Sequence, residues 1–238
     1  AGRWFFMVFF VVLSAAVLLV VPFSAYRSLL AERDQNTFEL LSITTLTPRQ
    51  IVWGKLLSAL VLVFIFYSAI TPFIAFASLL QGFDVVSGAY LLVLAMLVSL
   101  FFSTTALMLG SFARQRAAQA ITSVVVLGAL FVGFMMFLQF SFEVQLGIDD
   151  PNFWWGNAFL LLGAASYIVL FQQIAIAQLT FESDNRSSRI RMTCAGQFWL
   201  LWLAYMGYSL YLKSPWRDSE IEFLANISHE LRTPLHSM

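Results

Sequence analysis

The residues of this 238-residue chain that could do chemistry are few, and they gather in two stretches, Glu32–Lys55 and Phe223–Leu235, outside the apolar text that fills most of it. In the second stretch His229 is followed directly by Glu230, within Phe-Leu-Ala-Asn-Ile-Ser-His-Glu-Leu-Arg-Thr-Pro-Leu. An imidazole beside an acid suits nucleophilic attack with general-base help. In the first stretch Glu32, Arg33, Glu39 and Arg49 place both signs of charge in a chain where only 11% of residues are charged. The single cysteine, Cys194, stands beside an apolar run and reads as a small buried hydrophobe rather than a redox or metal group. No metal site is assigned. No Gly-x-x-x-x-Gly-Lys-[Ser/Thr] phosphate loop occurs, and no complete catalytic domain is legible.

The elements that must position these residues are membrane helices. Hydrophobic residues make up 60% of the chain, against roughly 45–50% in soluble domains. Thirteen basic and thirteen acidic residues cancel, so no overall field draws the chain to nucleic acid. Apolar runs near the roughly 20 residues needed to cross a bilayer occur at about Trp4–Tyr26, Leu56–Leu80, Ala89–Phe112, Ala117–Phe140, Asn157–Phe181 and Ala195–Leu212. They are continuous rather than alternating, which indicates helices and not barrel strands. The expected fold is all-α: a polytopic bundle of five to six transmembrane helices with a cytoplasmic coupling helix. Its parts are a first span at 1–26, a cytoplasmic loop at 27–55, four spans within 56–181, a loop at 182–194, a sixth transmembrane or interfacial helix at 195–212 and a tail at 213–238. The chain opens Ala-Gly-Arg-Trp without methionine and is expected to be a fragment, lacking parts at both ends.

Basic residues set the orientation, because Lys and Arg in short loops stay on the cytoplasmic side. Residues 27–55 carry Arg27, Arg33, Arg49 and Lys55; 113–116 carry Arg114 and Arg116; 182–194 carry Arg186, Arg189 and Arg191. The loops between carry no basic residue, and 141–156 holds Glu143, Asp149 and Asp150. Residues 27–55 are thus expected in the cytoplasm. Trp154 and Trp155 suit the outer interface. Ala106-x-x-x-Gly110 and Gly163 with Ala164, Ala165 and Ser166 offer small residues for close helix packing. Pro72 should kink the second span. No charge sits deep within a span, so no proton relay is expected, and Gln172 and Gln173 read as helix-to-helix hydrogen bonders.

Within the loop, Ser28–Leu41 has good helix formers, with Leu29, Leu30, Leu40 and Leu41 able to rest on other helices or on the membrane surface. Ser42–Thr47 breaks the pattern, and Thr47 can cap a new helix with Pro48 in its first turn. A short helix crosswise under the bundle would be a handle for a soluble partner. The run Glu-Arg-Asp-Gln-Asn-Thr-Phe-Glu-Leu-Leu41, followed by Thr-Pro-Arg-Gln-Ile-Val-Trp-Gly-Lys55, resembles the coupling segment of permease subunits of ABC-2 type exporters. Asn36 stands where that family usually has Gly, and Asn also tolerates left-handed backbone. The resemblance covers about residues 4–181 and makes Trp4–Tyr26 the family's second span. It implies a multi-pass protein of a bacterial inner (plasma) membrane that pairs with a second permease half, as homo- or heterodimer. It also implies an ABC ATPase subunit docked on the loop at Glu32, Arg33, Glu39 and Arg49. No cofactor is expected in this chain; ATP would be bound by the partner or by a missing domain.

The tail at 219–238 carries a second resemblance, to the phosphoacceptor box of sensor histidine kinases. It implies His229 as phosphoacceptor, Glu230 as its acid or base and Pro234 as a bend, in two-component signalling. The alternative function is therefore the membrane part of such a kinase, cut before its ATP-binding domain. Topology opposes it: a sixth span at 195–212 would carry His229 outside, away from ATP, unless that helix lies in the interface. A junction near Ser214–Glu222 would also account for the change from apolar to charged text.

Overall fold

Thr47-Pro-Arg-Gln50 starts one of the two longest helices, of 32 residues, as its chemistry predicts. Thr47 Oγ1 accepts from the Gln50 N–H at 3.4 Å, and Gln50 Oε1 accepts in return from the Thr47 N–H at 2.8 Å. This reciprocal box satisfies two donors that a helix start leaves orphaned, and Pro48 lacks the third. The computed structural model describes residues 2–34, 47–79, 85–113, 115–147, 151–180 and 187–212, with the backbone alone at some helix ends, among them 32–34. All are helical apart from junction residues, and no strand occurs among them. In chain order the elements are α1 (Gly2–Ala15), a π turn (Ala16–Val20), α2 (Val21–Asp34), α3 (Pro48–Leu79), α4 (Val85–Phe112), α5 (Arg116–Gly147), α6 (Pro151–Leu179) and α7 (Ser187–Leu212).

Five helices are long and apolar enough to cross a membrane: Trp4–Ala31, Pro48–Ala77, Val86–Phe112, Arg116–Val144 and Phe153–Leu179. The all-α membrane bundle expected from composition is therefore what the chain forms. With 27 to 30 residues each at about 1.5 Å per residue, the helices exceed a hydrocarbon core of about 30 Å. Their ends must reach into the interfaces. The first helix does so most plainly: no breaker follows Tyr26, and residues 27–34 continue it instead of leaving the membrane as loop. Residues 28–34 are thus not a separate crosswise helix, and the rest of the expected coupling helix, 35–41, lies outside the described residues. α7 is helical throughout but is not among the five spanning helices. Gln197, two tryptophans and three tyrosines replace aliphatic residues along it. It begins at Ser187, so Arg189 and Arg191 stand on its first turns.

The chain divides into two compact units, Ala1–Cys194 and Ala195–Met238. In the first, α4 is the hub: it packs against α2, α6, α3 and α5. The first helix and α4 are the most deeply buried of the five spans. In lipid, apolar burial does not drive helices together, so contact must come from close backbone approach and hydrogen bonds between helices. α4 supplies both. A Cβ placed on Gly110 would lie 3.2 Å from the ring of Tyr26 and 3.3 Å from Leu29, so Ala106-x-x-x-Gly110 is a packing surface for α2. At mid-span the fully buried Ser99 donates to the carbonyl of Val17 at 2.8 Å. That carbonyl sits in the π turn, where the Val21 N–H bonds Ala16 and the regular ladder is broken. Tyr67 of α3 donates to the Leu92 carbonyl at 2.5 Å, and Tyr90 donates to Asn157 Oδ1 of α6 at 2.8 Å.

Three expectations fail here. A Cβ on Gly163 would meet nothing within 4 Å, so no other described helix packs closely on that glycine. Cys194 is exposed rather than buried. Gln172 and Gln173 are half-buried and, among the described residues, bond no other helix. α3 runs through Pro72 without a break in helical assignment.

Replacing Gly110 by Leu forces α4 away from Tyr26 and Leu29. Overpacking of this kind costs about 1–3 kcal/mol. The variant is expected to unfold at lower temperature in detergent, whereas Gly128→Leu, at a position open to its surroundings, is expected to match the parent.

Candidate functional site

The end of the bundle that carries Arg27, Arg49, Lys55 and Arg116 is where the chemistry-bearing residues converge. It is built from the last turns of α2, the first turns of α3 and the α4–α5 corner. The capping box fixes where α3 begins and leaves Arg49 exposed beside it. Two turns on, Lys55 reaches back to α2: its Nζ donates to the Ser28 carbonyl at 3.1 Å and to Ser28 Oγ at 3.3 Å. Ser28 Oγ in turn donates to the Ala25 carbonyl at 2.8 Å. An ammonium on a carbonyl near a helix C-terminus is favoured by the local dipole as well as by the hydrogen bond. Lys55 therefore holds the start of α3 against the end of α2.

A second connection ties α2 to α5. Tyr26 is fully buried, and its hydroxyl lies 2.7 Å from Thr122 Oγ1, 3.2 Å from Ser123 Oγ and 3.3 Å from the Gln119 carbonyl, to which it donates. Thr122 and Ser123 also donate to the Ala118 and Gln119 carbonyls of their own helix. The network thus leaves none of these hydroxyls without a partner. Leu29 and Leu30 are buried beside Tyr26, as leucines meant to rest on other helices should be; Leu40 and Leu41 lie outside the described residues.

The sequence-derived site residues fall unevenly on this frame. Glu32 and Arg33 occupy the last turn of α2 by their backbone. Arg49 stands on the first turn of α3. The two helix ends, Asp34 and Thr47, thus bracket the segment that holds Glu39, which lies outside the described residues, as do His229 and Glu230. Lys55 was not among the residues singled out, although it closes the Gly-Lys pair. Its signal was a cation placed two turns into a helix, facing a neighbour that had to lie antiparallel. At the opposite end, Tyr90 meets Trp154 edge-on at 5.5 Å and Phe153 at 6.3 Å. Trp154 and Trp155 stay partly exposed at the start of the last span, where an interfacial anchor belongs.

Tyr26→Phe removes a hydroxyl but strands no donor, because Thr122 and Ser123 keep their helix carbonyls. The expected loss of stability is small, about 0.5–1 kcal/mol, within the range of hydrogen bonds between membrane helices. Tyr26→Ala also opens a cavity beside Gly110 and is expected to cost about 3–5 kcal/mol. Thermal unfolding of the two variants in one detergent measures the difference.

Comparison with known proteins agrees with this architecture. No curated protein and no solved structure matches the chain. The family model described as ABC-2 family transporter protein matches residues 3–210, from the first membrane helix through nearly all of α7 and short of His229. The chain belongs to the ABC-2 family of transporter proteins.

Proposed function

We propose that this chain is the membrane-embedded permease subunit of an ABC-2 type exporter, and that it couples ATP hydrolysis by a partner ATPase to movement of a substrate across the membrane. The observation that carries this reading is the family match over residues 3–210. The frame at the basic end supports it further. The ATPase docks on the segment between Asp34 and Thr47, with Glu32, Arg33, Glu39 and Arg49 as its charged contacts. A docked partner needs a handle that transmits force, and this one is anchored on both sides: α2 is held to α5 through Tyr26, and α3 to α2 through Lys55. ATP is bound by the partner. A second permease half completes the pathway, and the exposed apolar residues along α3 and α5 give it surface to meet. The inside-positive loops place the basic end in the cytoplasm of a bacterial cell, with the bundle in its inner membrane. The kinase reading of His229 and Glu230 rests on their string alone and gains no further observation.

The test is retention of the ATPase. With the tagged full chain co-expressed with an ABC ATPase that co-purifies with the parent, the combined Glu32→Ala, Arg33→Ala and Glu39→Ala variant is expected to lose at least tenfold of the co-purified partner. Arg189→Ala, on α7, is expected to retain it. Equal recovery from both would sink the docking assignment.

A further inference from the structure

Arg27 of α2 and Arg116 of α5 line one cavity of about 430 Å³ together with Leu30, Gln119 and Ala120. That volume lies within the roughly 300–1,000 Å³ of small-molecule sites. Both arginines are exposed, and no acidic side chain pairs with either among the residues whose side chains are described, which leave out Glu32 and Asp34. Two guanidinium groups on one cavity give it a positive field that favours an anion there.

The depth of the cavity limits what that anion can be. Arg27 lies near the end of the span Trp4–Ala31, and Arg116 is the first residue of the span Arg116–Val144. Both therefore stand where the hydrocarbon core gives way to headgroups, and this is the level of lipid phosphates. One wall is apolar, from Leu30, Ala31 and Ala120, and suits the start of an acyl chain. Guanidinium groups bind phosphate oxygens in pairs, with a geometry an ammonium cannot offer. The N-terminus of α5 adds its positive end, and the Gln119 side chain is a further donor on the same turn. Basic pockets between membrane helices on the cytoplasmic side are known takers of anionic headgroups.

We infer that the Arg27–Arg116 cleft binds the phosphate of an anionic phospholipid headgroup from the leaflet on the basic side. This site is separate from the ATPase docking segment and does not depend on transport. A lipid held there joins α2 to α5 on the outside of the bundle, as Tyr26 joins them within.

The purified full chain in detergent is titrated with phosphatidylglycerol, phosphatidylcholine or inorganic phosphate. Thermal unfolding and native mass spectrometry are the readouts. Phosphatidylglycerol is expected to raise the unfolding midpoint and to stay bound, while the other two do neither. The paired variant Arg27→Gln with Arg116→Gln is expected to bind phosphatidylglycerol at least tenfold more weakly, and Arg189→Gln to bind it like the parent. If the pair does not fold, each single Gln variant carries the test and is expected to bind more weakly than the parent. An equal response to phosphatidylcholine, or unchanged binding by the variants, overturns the proposal. An equal response to inorganic phosphate overturns the lipid assignment and makes the cleft a soluble-anion site.

Discussion

The structure depends on the close approach of α4 to the first membrane helix. In water, burying the leucines and phenylalanines of these helices would hold them together at about 25 cal/mol per Å². In a bilayer the surroundings are equally apolar, and that contribution largely vanishes. What is left is contact at short range and a small number of polar bonds. Gly110 lets the ring of Tyr26 come within 3.2 Å of where a side chain would begin, and Ser99 closes a buried bond to Val17 half a membrane away. α4 repeats the device toward its other neighbours, through Leu92 to α3 and Tyr90 to α6. Each such bond contributes only about 0.6 kcal/mol on average, so it is their number and spread along α4 that fixes the arrangement.

That arrangement determines what the basic end can do. Because α2 is seated on α4 by Gly110, its last turns and Ser28 have a defined position. Lys55 can then register α3 against α2, and the capping box at Thr47 sets where the connecting segment rejoins the bundle. Tyr26 brings the first turns of α5 to the same corner, which places Arg116 across from Arg27. The proposed docking segment and the proposed anion cleft thus both depend on one helix packing.

Much of the fold was legible in the sequence because membrane helices advertise themselves by length and composition. Five of the six apolar runs are spanning helices, and the start of α3 followed from Thr47 and Pro48. The sixth run was ambiguous for a reason visible in its residues: Trp199, Trp202, Tyr205, Tyr208 and Tyr211 are as suited to an interface as to a span. Helix ends were less legible. Residues 27–34 continue α2 because hydropathy reports where the apolar text stops, whereas a helix can run on past that point, and no Gly or Pro interrupts 27–34. The contacts between helices were the least legible. Ala106-x-x-x-Gly110 and Gly163 looked alike as strings, yet only the first meets a partner within the described helices. Small residues permit close approach; they do not say from which side it comes. Lys55 and Ser28, 27 residues apart, could be paired only once the two helices were known to lie side by side.

Under the proposed coupling, motion passes through the bundle along these same contacts. A push on the segment between Asp34 and Thr47 acts on α2 and α3 at once, since Lys55 joins them. Farther along, the first helix leaves regular geometry at Ala16–Val20, two residues after Ser14, whose hydroxyl is buried without a partner among the described residues. A helix is softest where its own ladder is interrupted and its polar groups are incompletely satisfied. Yet the interruption is not free, because Ser99 occupies the Val17 carbonyl within it. Any displacement of α2 that reaches mid-membrane must therefore either break a buried hydrogen bond or carry α4 with it. With α4 seated on α2 at Gly110 as well, two contacts favour the second course. The weak point of the first helix thereby lies between α1 and the joined pair of α2 and α4.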